Sequence, residues 1–188
     1  QTKTGASVSV TISDPLSSTY ANSALTVKVD GQICTITTGS YPSFTCTLPT
    51  NTNGSPKVRA GYYNVEVFIA GRGFVGVQNT TAQLFYDLVL NTLTPNTGGT
   101  NGGYNVDISG AGFPSDISLI TVSACGTNAY ISSTTNTLTK ILIPKCTTAS
   151  STPLSYTYNS ITKTLPFTYT TSSVSASIQS ISPSSYSP

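Results

Sequence analysis

The sequence predicts an all-β protein made of two β-sandwiches in tandem. Three observations carry this. Nearly every apolar stretch alternates with period two, as in "ASVSVTIS" (6–13), "LTVKVDG" (25–31), "YNVEVFIAG" (63–71), "YNVDISG" (104–110) and "LPFTYTT" (165–171), and helical periodicity is absent. Clusters of Gly, Pro, Asn and Ser interrupt these runs about every 8–12 residues, the spacing of a sandwich. The four cysteines fall as two pairs, Cys34/Cys46 and Cys125/Cys146, one in each half.

Read in order, the halves match. In the first, "VSVTISDP" (8–15) leads to "ALTVKVDGQICTI" (24–36), then "SFTCTLP" (43–49), then "AGYYNVEVFIAG" (60–71). In the second, "YNVDISGAGFP" (104–114) leads to "ISLITVSACGTNAYI" (117–131), then "TKILIPKC" (139–146), then "PLSYTYNS" (153–160) and "LPFTYTT". Each half reads as strand, loop, strand near a Cys, short turn, strand near the second Cys, and a closing hairpin. "LFYDLVLNTLTP" (84–95) joins the halves with no Gly/Ser linker, so a stiff rod is expected rather than a flexible hinge.

Only the second half carries its own opening. In "LVLNTLTPNTGGTNGGYNVDISGAGF" (88–113), an alternating strand, a Thr-Pro and a polar turn precede "YNVDIS". "SIQSISPSSYSP" (177–188) has the first part of that pattern, and "QTKTGASVSVTISD" (1–14) has the continuation. The expected organisation is therefore a first domain over 1–86 that lacks its own opening strand and a second domain over 87–174. Residues 175–188 are expected to open the next unit's first domain, through Ile178, Ile181 and Pro183. The next unit is either a further repeat of the same chain or a second subunit that receives the strand. Either arrangement completes an open sheet edge. The bland alternative is that 177–188 is a stalk leading to something unrelated.

Composition narrows the class. Only 7% of residues are charged, against a usual quarter, and the net charge is +2. Eight scattered Lys and Arg make no basic surface for a phosphate backbone, so no nucleic-acid partner is expected. Ser and Thr supply 61 of the 188 residues. A hydroxyl-rich, charge-poor surface fits an extracellular protein that carries covalent glycans; alternatively Thr simply fills exposed strand positions, which its β-propensity suits. No apolar run approaches the ~20 residues of a membrane helix, so no membrane contact is expected within this segment.

The chemistry expected of the site residues is sparse. With no His, neither a Ser-His-Asp site nor a Cys/His zinc site is possible. No CxxC occurs, and disulfides Cys34–Cys46 and Cys125–Cys146 in an oxidising compartment are the better use of the cysteines. Each is expected to contribute about 3 kcal/mol through loop entropy. Asp14, Asp30, Glu66, Asp87, Asp107 and Asp116 are dispersed, and no local pair suits glycoside hydrolysis. Gly98, Gly99, Gly102 and Gly103 form a Gly-rich loop with no helix after it, which does not cradle phosphate. No catalytic residue, metal or cofactor is expected.

Several motifs together resemble the IPT/TIG family of immunoglobulin-like domains. Residues 88–113 carry the family's opening, including Pro95, the four glycines and "ISGAGF" (108–113). Residues 34–49 carry its "C…CTLP", and 61–67 carry "GYYNVEV". The resemblance implies two tandem immunoglobulin-like (IPT/TIG-type) β-sandwiches. It departs at "ISDP" (12–15), which replaces "ISGAGF", and at Pro144, which precedes its Cys instead of following it. Members of the family that bind DNA use Arg/Lys loops that are missing here.

For modification, "NTT" places a candidate N-glycan on Asn79, and "NGS" a poorer one on Asn53, because Pro56 follows. Hydroxyl clusters offer O-glycan candidates at Thr134, Thr135, Thr137, Thr147, Thr148, Thr170 and Thr171. Two Ser-Pro steps add Ser182 and Ser187, with Pro183 and Pro188 as hydroxyproline candidates. The reading that joins these features is a non-enzymatic structural repeat unit of an extracellular, glycosylated fibre or surface stalk, whose partners are copies of itself joined head to tail. The alternative is a ligand-binding IPT-type module of a receptor or adhesin; an accessory domain of a secreted enzyme is third.

Overall fold

The computed structural model describes residues 2–3, 6–13, 19–51, 54, 56–75 and 83–171. The candidates Asn53, Asn79, Ile178, Ile181, Ser182, Pro183, Ser187 and Pro188 lie outside these residues, as does Asp14. The described chain is all-β apart from two single-turn 3-10 helices, Asn22–Ala24 and Ile117–Leu119.

The first half contains β1 (Thr2–Lys3), β2 (Ser7–Thr11), β3 (Leu25–Val29), β4 (Gln32–Ile33), β5 (Thr35–Ser40), β6 (Ser43–Thr47), β7 (Gly61–Tyr63), β8 (Glu66–Ile69), β9 (Gly73–Phe74) and β10 (Leu84–Tyr86). The second contains β11 (Val89–Thr94), β12 (Thr97–Gly99), β13 (Asn105–Ala111), β14 (Ile120–Ala124), β15 (Thr127–Asn128), β16 (Tyr130–Thr134), β17 (Leu138–Leu142), β18 (Ser151–Tyr158) and β19 (Ile161–Thr170).

Alternation places one face of each strand inward. β3 reads buried–exposed–buried–exposed–buried through Leu25, Val27 and Val29, and β13 buries Val106, Ile108 and Gly110 in the same way. The buried side chains form two clusters. One gathers Val8, Val27, Phe44, Leu48, Val67 and Tyr86 from the first half. The other gathers Val106, Ile108, Phe113, Ile141, Tyr156 and Phe167 from the second. Each such side chain contributes about 1.5–3 kcal/mol by leaving water. Tyr86 belongs to the first cluster and Leu88 to the second, so only Asp87 stands between the two cores.

In the second half the sheets run β11-β13-β17-β16 and β12-β19-β18-β14-β15. In the first half they run β2-β6-β5, β4-β3-β8-β9 and β1-β10-β7. The last two of these correspond to one sheet of the second half, interrupted at Asn64–Val65 between β7 and β8. The orders then agree strand for strand, with one exception. Nothing among the described residues occupies, beside β2, the place that β11 occupies beside β13.

Details of register confirm the correspondence. Val8 pairs with Cys46 as Val106 pairs with Ile141. The Leu48 N–H donates to Ala6 O at 2.9 Å as the Ile143 N–H donates to Tyr104 O at 3.1 Å. The turn after β3 places Asp30 and Gly31 at φ 50° and 70°, and the turn after β14 places Cys125 and Gly126 at φ 52° and 74°, a left-handed pair that suits a two-residue hairpin. Several glycines of the second half leave no room for a side chain. A Cβ on Gly98 would meet the Tyr104 hydroxyl at 1.6 Å, and one on Gly110 would meet Val89 O at 2.0 Å.

Both disulfides form, Cys34–Cys46 with Cα atoms 5.3 Å apart and Cys125–Cys146 with 5.6 Å. They do not occupy matching strand positions. By register Cys125 corresponds to Asp30, while Cys34 corresponds to Ala129 and Cys46 to Ile141. The element shared at the second Cys is the proline: Pro49 and Pro144 each follow the equivalent residues Leu48 and Ile143. The displaced Pro144 is therefore a displaced cysteine. Where the second half has its disulfide at the hairpin turn, the first has an ion pair of Asp30 with Arg59.

Candidate functional site

Four of the acidic residues make contacts that serve the fold. The Asp30 carboxylate accepts from the Arg59 backbone N–H and from Nε, each at 3.0 Å, and pairs with Nη2. Its side chain is only 4% exposed, and these hydrogen bonds hold the Arg59 guanidinium well above the usual arginine range. Asp87 meets Lys163 Nζ at 2.7 Å, and Asp107 lies 3.6 Å from Lys140 Nζ. Asp116 caps the second 3-10 turn by accepting from the Ser118 hydroxyl and backbone N–H, which holds its carboxyl below the ordinary value. Among the described residues, no group of three or more His, Cys, Asp or Glu is placed to hold a metal ion.

Three surfaces are candidates for function instead. The first is the edge of β2. On β13 the neighbour β11 covers the sheet: Leu93 pairs with Ile108, and Thr92 shares a 2.7 Å hydroxyl bond with Ser109. Leu93 is buried in the core, and Ile108 beneath it is fully buried. β2 has β6 on one side and, among the described residues, no strand on the other. Val10, the counterpart of Ile108, is only partly buried.

The second surface is the junction between the halves. The Ala60 N–H donates to Gly112 O at 2.8 Å, and Asn51 Nδ2 donates to Asn136 Oδ1 at 2.6 Å. Ala60 packs into the second core although it precedes β7. Lys163 to Asp87 adds a third link. A polar cleft of about 270 Å³ opens here, with Asp30, Lys57 and Arg59 on one side and Phe113 and Asn136 on the other. These contacts join residues as much as 85 apart in sequence, and no local pattern announces them.

The third surface is the outer face of the first half's larger sheet. Tyr62 and Phe85 meet there at a tilt with ring centres 4.7 Å apart, and Phe68 meets Phe74 edge-on at 5.3 Å. Tyr62 is 66% and Phe74 73% exposed. The corresponding face of the second half is hydroxylic, with Ser155 opposite Thr164 and Thr157 bonded to Thr162 at 2.9 Å. This aromatic face was invisible in the sequence because its residues alternate with buried ones and read as ordinary strand packing.

The described hydroxyl candidates divide by burial. Thr135, Thr147, Thr148, Thr170 and Thr171 are exposed, whereas Thr134 and Thr137 are partly buried. The Thr134 hydroxyl is engaged by Pro114 O at 3.0 Å and by the Thr139 hydroxyl at 2.9 Å. That of Thr170 donates to Gly98 O at 3.2 Å.

No curated protein matches the chain by sequence. Among solved structures, the plexin A4 extracellular region is 18% identical with a TM-score of 0.41, covering 89% of this chain and 17% of that one. A surface glycan-binding protein from Prevotella bryantii is 12% identical with a TM-score of 0.47, covering 77% and 33%. An auxiliary nutrient binding protein from Bacteroides thetaiotaomicron is 21% identical with a TM-score of 0.39, covering 45% and 21%. The chain thus spans a third or less of each of these proteins. The IPT/TIG family model matches residues 88–171, the segment that holds β11 through β19 and the second core. This chain carries an IPT/TIG domain, an immunoglobulin-like β-sandwich, at residues 88–171.

Proposed function

We propose that the chain is a structural, non-enzymatic repeat unit of an extracellular, glycan-coated fibre or surface stalk, in which units follow one another head to tail. In this reading residues 1–86 form a second IPT/TIG-like domain that lacks its opening strand. The observation that carries it is the junction. One residue, Asp87, separates the two cores, and the Ala60–Gly112, Asn51–Asn136 and Lys163–Asp87 contacts cross it. A module that presents loops to a ligand has no need of such a joint, whereas a rod does. The charge-poor surface, two disulfides and exposed threonines support an extracellular location and a glycan coat.

Electron microscopy of the native material tests it. An eight-residue strand spans roughly 26 Å, so with loops two domains give an axial rise of about 70–80 Å. Filaments with that repeat are expected, and the native mass per unit is expected to exceed 19.5 kDa. Single two-lobed particles of unmodified mass would overturn the reading. The exposed pairs Tyr62–Phe85 and Phe68–Phe74 favour the second reading, a ligand-binding module of a receptor or adhesin. That reading expects saturable binding of a soluble polysaccharide or protein that Tyr62→Ala and Phe74→Ala abolish.

A further inference from the structure

We propose that the open edge of β2 is a binding site for residues 180–182 of a second copy of this chain. The inference rests on the head-to-tail reading and names the partner and register at its joint.

The acceptor is built from the described residues. In the second half β11 pairs Thr92 with Ser109, Leu93 with Ile108 and Thr94 with Asp107, and Thr97–Gly99 then pairs in parallel with β19. In the first half β1 already holds the place of β12, pairing Thr2 with Phe85 and Lys3 with Tyr86 in parallel. The place of β11 is the one left open. Two observations mark the opening: no described residue pairs with the second edge of β2, and Val10 is incompletely covered where Ile108 is sealed. Unpaired strand edges accept another strand through main-chain hydrogen bonds, with side-chain pockets setting the register.

The donor is identified by pattern. "LNTLTP" (90–95) and "IQSISP" (178–183) share apolar, polar, hydroxyl, apolar, hydroxyl and proline in the same order. The three-residue step from Leu90 to Leu93 spans the register shift of β11 on β13, and Ile178 to Ile181 repeats that step. In this register Ile181 lies opposite Val10 and covers it as Leu93 covers Ile108. Ser180 lies opposite Thr11, where a hydroxyl pair like Thr92–Ser109 is available. Ser182 lies opposite Ser9. The pairing ends there. Position 12 is Ile where the second half has Gly110, and a Cβ at Gly110 would come within 2.0 Å of the covering strand. The donor therefore leaves the edge before Ile12, and Ile178 does not pair as Leu90 does.

The donor belongs to another copy because its own chain cannot reach. The β18–β19 hairpin touches the first half at Asn159 and Lys163, and β19 runs ten residues away from it to Thr170. Returning to the junction covers roughly 33 Å, and reaching Val10 from Ser7 along β2 adds about 10 Å. The eleven residues from Thr170 to Ile181 span at most about 40 Å. By analogy with β11, the donor enters from the end of the first half that faces away from the junction, so the contact is head to tail.

Cysteine trapping in the full chain tests this, since no free cysteine competes among the described residues. The double variant Ser9→Cys/Ser182→Cys, oxidised mildly, should give a ladder of covalent multimers on a non-reducing gel. A mixture of the two single variants should give a two-chain product. Peptide mapping of both native disulfides confirms that each variant is folded. Ile181→Asp, placed in the tail where it leaves both cores intact, should remove every species larger than one unit. A link formed within one chain would assign the strand to its own molecule and overturn the proposal. A ladder from Ser9→Cys/Ser187→Cys in place of Ser182 would overturn the register. Filaments that persist with Ile181→Asp and no trapping at Ser9 would overturn this site while leaving the head-to-tail reading intact. Absence of assembly in the unmodified chain would remove both.

Discussion

Val10 and Ile108 stand on the same rung of corresponding strands, yet Ile108 is fully buried and Val10 is not. Among the described residues the difference is one neighbour, Leu93, which pairs with Ile108 and has no described counterpart beside Val10. The sheet is thus closed over Ile108 and shows no described cover over Val10. At two other corresponding positions the halves differ while keeping the same register: Ile12 stands where the second half has Gly110, and Asp30 where it has Cys125.

Removing the cover from the complete half should imitate the incomplete one. Leu93→Ala is expected to destabilise the second half by about 2–3 kcal/mol, the lower range for a buried leucine, because the site lies at a sheet edge. Urea denaturation followed by tyrosine fluorescence measures it. A loss below about 1 kcal/mol would show that β11 is dispensable to the core.

The disulfides should act independently. Each closes its loop within one half, over separations of 12 and 21 residues. Cys34→Ala/Cys46→Ala and Cys125→Ala/Cys146→Ala should each cost about 3 kcal/mol, the longer loop slightly more. Non-reducing peptide mapping should find these two links alone, and any link between the halves would contradict the structure.

At the junction, charge should matter less than shape. Lys163 and Asp87 are both partly solvated, so Lys163→Ala is expected to cost no more than about 1 kcal/mol. Gly112→Val is expected to cost more. Gly112 sits at φ +81°, and an added Cβ would meet Ala60 N at 3.1 Å and Asp87 O at 3.2 Å. Small-angle scattering should show the angle between the halves changing in the valine variant and holding in the alanine variant.

Alkaline pH should loosen the second core. Burial pushes Tyr156 up to about 12, against an ordinary value near 10, with hydrogen bonds to Thr139 and Thr134 opposing the shift. Between about pH 10 and 12 the unfolded chain ionises this tyrosine while the folded chain keeps it neutral. Its contribution is thus complete below pH 10 and lost as pH rises through the folded value, by up to about 3 kcal/mol. Denaturation midpoints at pH 7, 10 and 12 test this, and Tyr156→Phe should flatten the decline.

Strand identity was legible because period-two alternation survives in short runs such as Leu25–Val29 and Asn105–Ala111. The one-pair-per-half cysteine arrangement was legible too. The equivalence of the two bridges was not. Cysteines at different strand positions close similar loops, and only the pairing of Val8 with Cys46 and Val106 with Ile141 shows that Pro49 and Pro144 mark the common register. The place of β11 ahead of β13 followed from the pattern of "VLNTLTP" and "YNVDIS". The Asn51–Asn136 contact did not, because it depends on the angle at which two folded bodies meet. The aromatic outer face was hidden for a different reason: alternation reports which residues share a face, not which face is turned outward.

The parallel pairing of β12 with β19 bears on tension. β12 directly follows β11, by which the chain enters the second half, β19 is its last described strand, and the two lie side by side from Thr97 with Thr168 to Gly99 with Thr170. Pulling the two ends apart drags them in opposite directions along their length. Their hydrogen bonds are then loaded in shear, all together, whereas an antiparallel pair gripped at one end opens like a zip, one rung at a time. In the first half the matching contact of β1 with β10 has two rungs among the described residues. Under load it is the weaker link, and it is the one a donated strand would lie beside.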